Sequence, residues 1–247
     1  MATSRVRGLI FDLGSTLIHR TGLELEREMC ASLGAWAASE MGVRDPDALA
    51  GRLLAMRLEG ERGGREDLVQ RVAAATIAAA LTAAGLDADD AALRRAEAAF
   101  YRPEVRVSRL YPWAHESLDA LVAMDLRLGM ISNTGSHRCI VDLTQAHDIF
   151  RYFDPLVTSA GFGRMKPHPD IFAHVLEAWA LPAAEVVMVG DTLGADILGA
   201  ERVGMRSILV DVEPNPDNPR FAERVRPTAR VTSLRDIPDI VRGWSSR

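Results

Sequence analysis

The sequence predicts an α/β protein, a doubly wound parallel sheet with a block of helices inserted after the first strand. Three observations carry that expectation. Beyond residue 108, short apolar runs alternate with amphipathic stretches, as strands and crossover helices do in a parallel sheet. Between residues 23 and 102, apolar residues recur at three- and four-residue steps with no strand signal among them. The length, 247 residues and 27.0 kDa, exceeds one simple domain and falls short of two independent ones.

Residues 6–13 read as a buried strand because Val6, Leu9, Ile10, Phe11 and Leu13 form a nearly continuous apolar run. Gly14, Ser15 and Thr16 then supply turn chemistry. Leu25, Met29, Leu33 and Trp36 mark a first inserted helix, and Leu49, Leu53, Leu54 and Leu58 a second. Gly60, Gly63 and Gly64 separate the second from a third, marked by Leu68, Val72, Ile77 and Leu81. A fourth, over 91–101, opens at Asp87, Asp89 and Asp90 and stops before Pro103. Tyr111 and Pro112 lead into a helix through Leu121. Strands follow at 128–132, 156–158, 186–189 and 207–212, with helices at 136–147, 169–180 and 195–203. Residues 213–219 form a loop rich in Pro and Asn, and 229–232 a last edge strand.

Composition excludes several classes. The hydrophobic share is 48% and the charged share 26%, which describes a folded globular chain. A net charge of −5 argues against a nucleic-acid partner. No apolar run approaches the ~18 residues that a bilayer requires, so no membrane partner is expected. The first residues lack the apolar core and cleavage site of a signal peptide. Cys30 and Cys139 lie far apart and form no CxxC, so neither a disulfide framework nor a zinc site is expected, and a reducing cytoplasm is the default. Oligomeric state has no signal. Among the 29 basic residues only Lys166 is lysine. An arginine-biased composition explains the other positions. It does not explain the retention of one compact ammonium, which arginine cannot replace between two anions.

Polar residues gather where the strands end: Asp12 after the first, Ser132 and Asn133 after the second, Lys166 in the loop after the third, Asp191 after the fourth. In a doubly wound sheet these ends share one rim, where ligands bind. Singly, each has a plain reading as a turn former or helix cap. Jointly they form a site. Neighbouring carboxylates repel and are costly in a partly buried cleft, which a divalent cation or a lysine relieves. Hard oxygen ligands suit Mg²⁺. Asp12 has the features of a carboxylate nucleophile.

The motifs Phe11-Asp12-Leu13-Gly14-Ser15-Thr16-Leu17, Ile131-Ser132-Asn133, Lys166-Pro167 and Gly190-Asp191-Thr192-Leu193-Gly194-Ala195-Asp196 occur in that order. In this the chain resembles the haloacid dehalogenase superfamily of hydrolases along essentially its whole length. The resemblance implies a Rossmann-like catalytic core over residues 1–18 and 108–247, with an α-helical cap over 19–107. It further implies that Asp12 is the nucleophile and that Mg²⁺ is held by Asp12, the Gly14 carbonyl and Asp191. Ser132 and Asn133 would bind the phosphoryl group, Lys166 would stabilise Asp12 and the transferring group, and Asp196 would orient Lys166 or a metal-bound water. The expected activity is Mg²⁺-dependent hydrolysis of a small phosphorylated metabolite through an aspartyl-phosphate.

One position departs from the pattern. Phosphatases of this family usually carry a second Asp two residues after the nucleophile, as general acid and base, and here Gly14 stands there. His19 lies close enough in sequence to substitute. Two alternatives stay open: a metal-independent 2-haloacid dehalogenase, whose halide leaves without a proton, and a phosphate-binding protein with little or no catalysis. Schiff-base phosphonate hydrolysis is disfavoured because no lysine lies in the inserted block, and mutase chemistry because it depends on the missing Asp. Arg20, Glu24, Trp36, Arg57, Arg62 and Arg65 are candidates for setting specificity.

Overall fold

The computed structural model describes residues 5–19 and 22–245. Arg20 lies outside them. The chain opens with β1 (Gly8–Phe11) and passes into four helices, α1 (Leu23–Met41), α2 (Pro46–Asp67), α3 (Ala73–Ala83) and α4 (Asp90–Val107). It returns through α5 (Ala114–Val122), β2 (Arg127–Ser132), α6 (His137–Ala146) and β3 (Leu156–Thr158). Next come the single turn α7 (Ser159–Phe162), α8 (Pro169–Trp179), β4 (Val186–Gly190), α9 (Leu198–Val203), β5 (Arg206–Val210), β6 (Ala229–Val231) and α10 (Ile237–Ser245).

The strands form one sheet in the order β3-β2-β1-β4-β5-β6, every neighbouring pair parallel. Side chains alternate across it. Leu9 and Phe11 of β1 join Val187 and Val189 of β4 in a core with Leu118, Leu143 and Val241 on one face. Ile10 and Met188 join Ile171, Phe172 and Val175 of α8 on the other. Both faces are thus covered by helices, and each large side chain so buried contributes about 1.5–3 kcal/mol. The α/β doubly wound expectation holds. Among the described residues no helix is long and apolar enough to cross a membrane.

Several elements differ from the sequence reading. Helix α2 runs unbroken through Gly60, Gly63 and Gly64 and ends only where Leu68 turns left-handed at φ 56°. Each glycine costs about 1 kcal/mol in a helix, and packing outweighs this: Arg57 of α2 is paired with Glu26 of α1 and lies over the Phe100 ring. Leu68 and Val72 precede α3, in an extended connector tied to the sheet side of the molecule. There Met165 N donates to Leu68 O (3.1 Å), Gln70 N to Gly163 O (3.1 Å) and Ala73 N to Gly135 O (2.8 Å). Helix α4 continues past Pro103. Proline has no N–H for the carbonyl of Ala99, four residues back. The Ser32 hydroxyl of α1 donates to that carbonyl at 2.7 Å instead. Helices α7 and α10 were not anticipated, and a π-helical turn over Leu193–Ile197 precedes α9.

The two crossings between the helical block and the sheet run side by side. His19 N donates to Arg109 O and Tyr111 N to Leu17 O, both at 2.9 Å. The block therefore sits above the carboxyl end of β1.

Candidate active site

Strand β1 lies between β2 and β4, so the connections leave it in opposite directions and open a crevice at its carboxyl end. Asp12 follows β1 there, fixed by its N–H to Val189 O at 2.9 Å. Its Oδ1 accepts from Lys166 Nζ at 2.6 Å and its Oδ2 from the Thr16 hydroxyl at 3.2 Å. Lys166 Nζ lies 2.7 Å from Ile131 O and 2.7 Å from Asp196 Oδ1. One ammonium thus faces three oxygens. Burial alone would push the lysine down; Asp12 and Asp196 outweigh it and hold Lys166 above its ordinary value, fully charged. Burial pushes the Asp196 carboxyl up, and the lysine pulls against that.

Asp196 is brought to this lysine by a close approach. A Cβ on Gly190 would fall 2.3 Å from Asp196 Cγ, so only glycine ends β4 with the carboxylate packed there. Thr192 N donates to Asp196 Oδ2 at 3.0 Å. Asn133 holds Lys166 by its main chain: Oδ1 accepts from Lys166 N (2.8 Å) and Nδ2 donates to Lys166 O (3.0 Å). Both ends of its amide are engaged, whereas Ser132, beside it, lines the cavity with Asp12.

Carboxylate oxygens of Asp12, Asp191 and Asp196 lie within 4.8 Å of one another. Three carboxylates against one ammonium give the buried cluster a formal charge of two negative units. That charge and the all-oxygen donor set fit a divalent cation such as Mg²⁺. The side chains that could hold such an ion are Asp12, Asp191 and Asp196, of which Asp12 and Asp196 also pair with Lys166, and Gly14 lines the same cavity. The left-handed conformation of this turn falls to Ser15 (φ 58°), not to Gly14, and a Cβ on Gly14 would meet nothing within 4 Å.

The cavity over Asp12 measures about 330 Å³ and also reaches Gly14, His19 and Glu104. His19 Nδ1 lies 2.7 Å from Glu213 Oε1, with its ring against Tyr111. Glu104 comes from α4. Burial, with Glu26 nearby, pushes its carboxyl up, while the Cys139 thiol (3.7 Å) and Arg57 oppose this. A wider cleft of about 550 Å³ between α2 and the carboxyl rim of the sheet shares Asn133, Thr134 and Lys166 with the cavity. Of the specificity candidates, Arg57 and Arg65 line it. Glu24 and Arg62 are exposed, and Trp36 packs into the helical core.

The sequence reading assigns no role to Gln70, Glu104, Asn215 or Asn218, and only a turn-forming one to Thr16. Asn215 and Asn218 had a signal, an asparagine-rich loop following a strand at the ligand-binding rim. Gln70 had none; its Oε1 accepts from Ser159 Oγ at 2.6 Å across the cleft.

Comparison with known proteins agrees with this geometry. The family model for haloacid dehalogenase-like hydrolases matches residues 6–204. A glyceraldehyde 3-phosphate phosphatase of Methanocaldococcus jannaschii is 30% identical over 145 residues, 58% of this chain and 61% of that protein. Several such matches span about half of the relative's own length. A phosphoglycolate phosphatase of Vibrio parahaemolyticus is 26% identical over 98% of both chains. The fold is that of a 2-haloacid dehalogenase from Pseudomonas syringae pv. Tomato, with TM-score 0.71, 24% identity, and 97% and 99% of the two chains covered. It is equally that of a phosphatase from Thermococcus onnurineus, with TM-score 0.65, 19% identity, and 96% and 98% covered. With the sheet order, the four motifs at one rim and a family match over most of its length, the chain belongs to the haloacid dehalogenase-like hydrolases.

Proposed function

We propose that this protein is a Mg²⁺-dependent phosphomonoester hydrolase acting on a small phosphorylated metabolite. The observation that carries this reading is Asp191, a second carboxylate held beside Asp12 in a cluster of net negative charge. A nucleophile that displaces halide needs no such partner. Bound Mg²⁺ would supply charge neutralisation for the phosphoryl oxygens. An Asp12 oxygen attacks phosphorus, the bond from phosphorus to the ester oxygen breaks, and the leaving alcohol takes a proton. Water then attacks phosphorus of the aspartyl-phosphate, releasing phosphate and restoring Asp12. Lys166 keeps one Asp12 oxygen in place and offsets charge in the transition state. Ser132 binds a phosphoryl oxygen. Asn133 fixes Lys166 and leaves substrate contact at its position to the main chain.

In this reading residues 19–107 form a cap whose inner face, with Arg57 and Arg65, meets the leaving group. Buried, unpaired Cys30 and Cys139 suit the reducing cytoplasm. Gly14 favours the second reading, a 2-haloacid dehalogenase, because a halide needs no general acid. A panel of metabolite phosphates assayed for free phosphate with and without Mg²⁺, beside 2-chloropropionate assayed for chloride, separates the two. Phosphate release that requires Mg²⁺ supports the proposal; chloride release in the absence of metal, with no phosphate from any ester, overturns it.

A further inference from the structure

The turn after β4 carries Asp191 but has little regular structure to hold it, since a π-helical turn begins at Leu193. Two amides from the loop after β5 take over that task. Asn215 Nδ2 donates to Asp191 Oδ2 at 2.7 Å and to Thr192 Oγ1 at 3.0 Å. Thr192 Oγ1 in turn donates to Asp191 Oδ1 at 3.0 Å. Asn215 is itself anchored, its Oδ1 accepting from Asp217 N at 3.0 Å. Asn218 splints the main chain across the turn: Nδ2 donates to Asp191 O (2.8 Å) and Oδ1 accepts from Leu193 N (2.7 Å). The loop is tied at its start by Glu213 to His19, where the chain leaves the β1 turn.

The chemistry of these partners is informative. A carboxylate has about four lone-pair positions. Asn215 on Oδ2 and Thr192 on Oδ1 each take up one such position and fix the carboxylate plane. An arginine or lysine at 215 would fix Asp191 equally well but would neutralise the charge that attracts a cation. A neutral amide orients the carboxylate and leaves that charge in place. Asp191 also needs the restraint, because two further carboxylates lie within 4.8 Å and repel it.

We propose that Asn215 and Asn218 are positioning residues for Asp191, and that the 213–218 loop thereby sets the protein's affinity for its divalent cation. This rests on the metal-dependent reading above. Outer-shell partners of this kind are typically worth about 10- to 100-fold in metal affinity.

The test is calorimetric titration of Mg²⁺ into the full chain and into the variants Asn215→Ala and Asn218→Ala, each checked by circular dichroism and by its melting temperature in EDTA. The expected result is Mg²⁺ binding weakened by about 10- to 100-fold in each variant, with the metal-free melting temperature of Asn215→Ala close to wild type. Turnover of nitrophenyl phosphate should show the same effect as a higher Mg²⁺ requirement, with kcat recovering at saturating metal. The two asparagines act on different atoms of Asp191, so either variant alone carries the test if the other does not fold. Wild-type Mg²⁺ affinity in a folded variant overturns this inference and leaves the metal-dependent reading intact, because the loop is then only a structural staple. Absence of Mg²⁺ binding by the wild-type chain overturns both.

Discussion

Lys166 meets Asp12, Asp196 and the Ile131 carbonyl within 2.7 Å while almost wholly buried. A guanidinium is larger and planar and cannot occupy that point without moving Asp12 or the phosphoryl group. Lys166→Arg should therefore lower turnover by ~10²–10³-fold although charge is conserved. Steady-state kinetics within a factor of about two of wild type would reduce Lys166 to a bystander. Gly14 poses the opposite case, a missing side chain. Nitrophenyl and acyl phosphates leave without a proton, so wild-type activity should favour them over alkyl phosphates. Gly14→Asp should raise alkyl-phosphate turnover selectively, and the open space around a Cβ there lets the variant fold. No selective gain in the folded variant, with fast alkyl-ester hydrolysis by wild type, would point to His19 or Glu104 as proton source. The residues legible in the sequence were those that end apolar strands. Asp12, Asp191 and Lys166 announce themselves by position, and Lys166 by its rarity. Asn215, Asn218 and Thr16 act through hydrogen bonds to those residues; the asparagine-rich loop at the rim marks where the first two lie, but the pairing itself has no signature in a single sequence.

At the scale of elements, α4 shows how a local rule is overridden. Pro103 should end the helix, and the sequence reading stopped there. The Ser32 hydroxyl takes up the carbonyl that proline leaves without a donor, and α4 continues to Val107. Ser32→Ala removes that donor and strands a carbonyl at the α1–α4 contact. It should cost about 1–3 kcal/mol, the usual penalty for an unsatisfied buried acceptor, read as a lower urea midpoint with an unchanged slope. An unchanged midpoint would mean that Ala99 O is otherwise satisfied. The strands were legible because a parallel sheet buried on both faces needs continuous apolar runs. The glycines of α2 were misread as a break because what holds them helical, the Arg57 contacts to α1 and α4, is tertiary. The connector at 68–73 was misread as helix for the same reason: its backbone partners lie at 135 and 163–165, far along the chain.

The whole molecule joins a sheet rim that concentrates negative charge to a helical block that roofs it. The rim supplies Asp12, Lys166, Asp191 and Asp196, while the cleft above them is walled by Arg57, Arg65 and the 68–73 connector. Asp12→Asn should abolish turnover and leave the melting temperature near wild type, because the lysine keeps Asp196 and the Ile131 carbonyl as partners. Retained turnover would show that another group is the nucleophile. The most direct measurement of cation dependence is nitrophenyl phosphate hydrolysis by the full chain, first in EDTA and then as Mg²⁺ is added back in excess. Activity that disappears with the chelator and returns with Mg²⁺ is the result predicted here; equal hydrolysis in both conditions would contradict it.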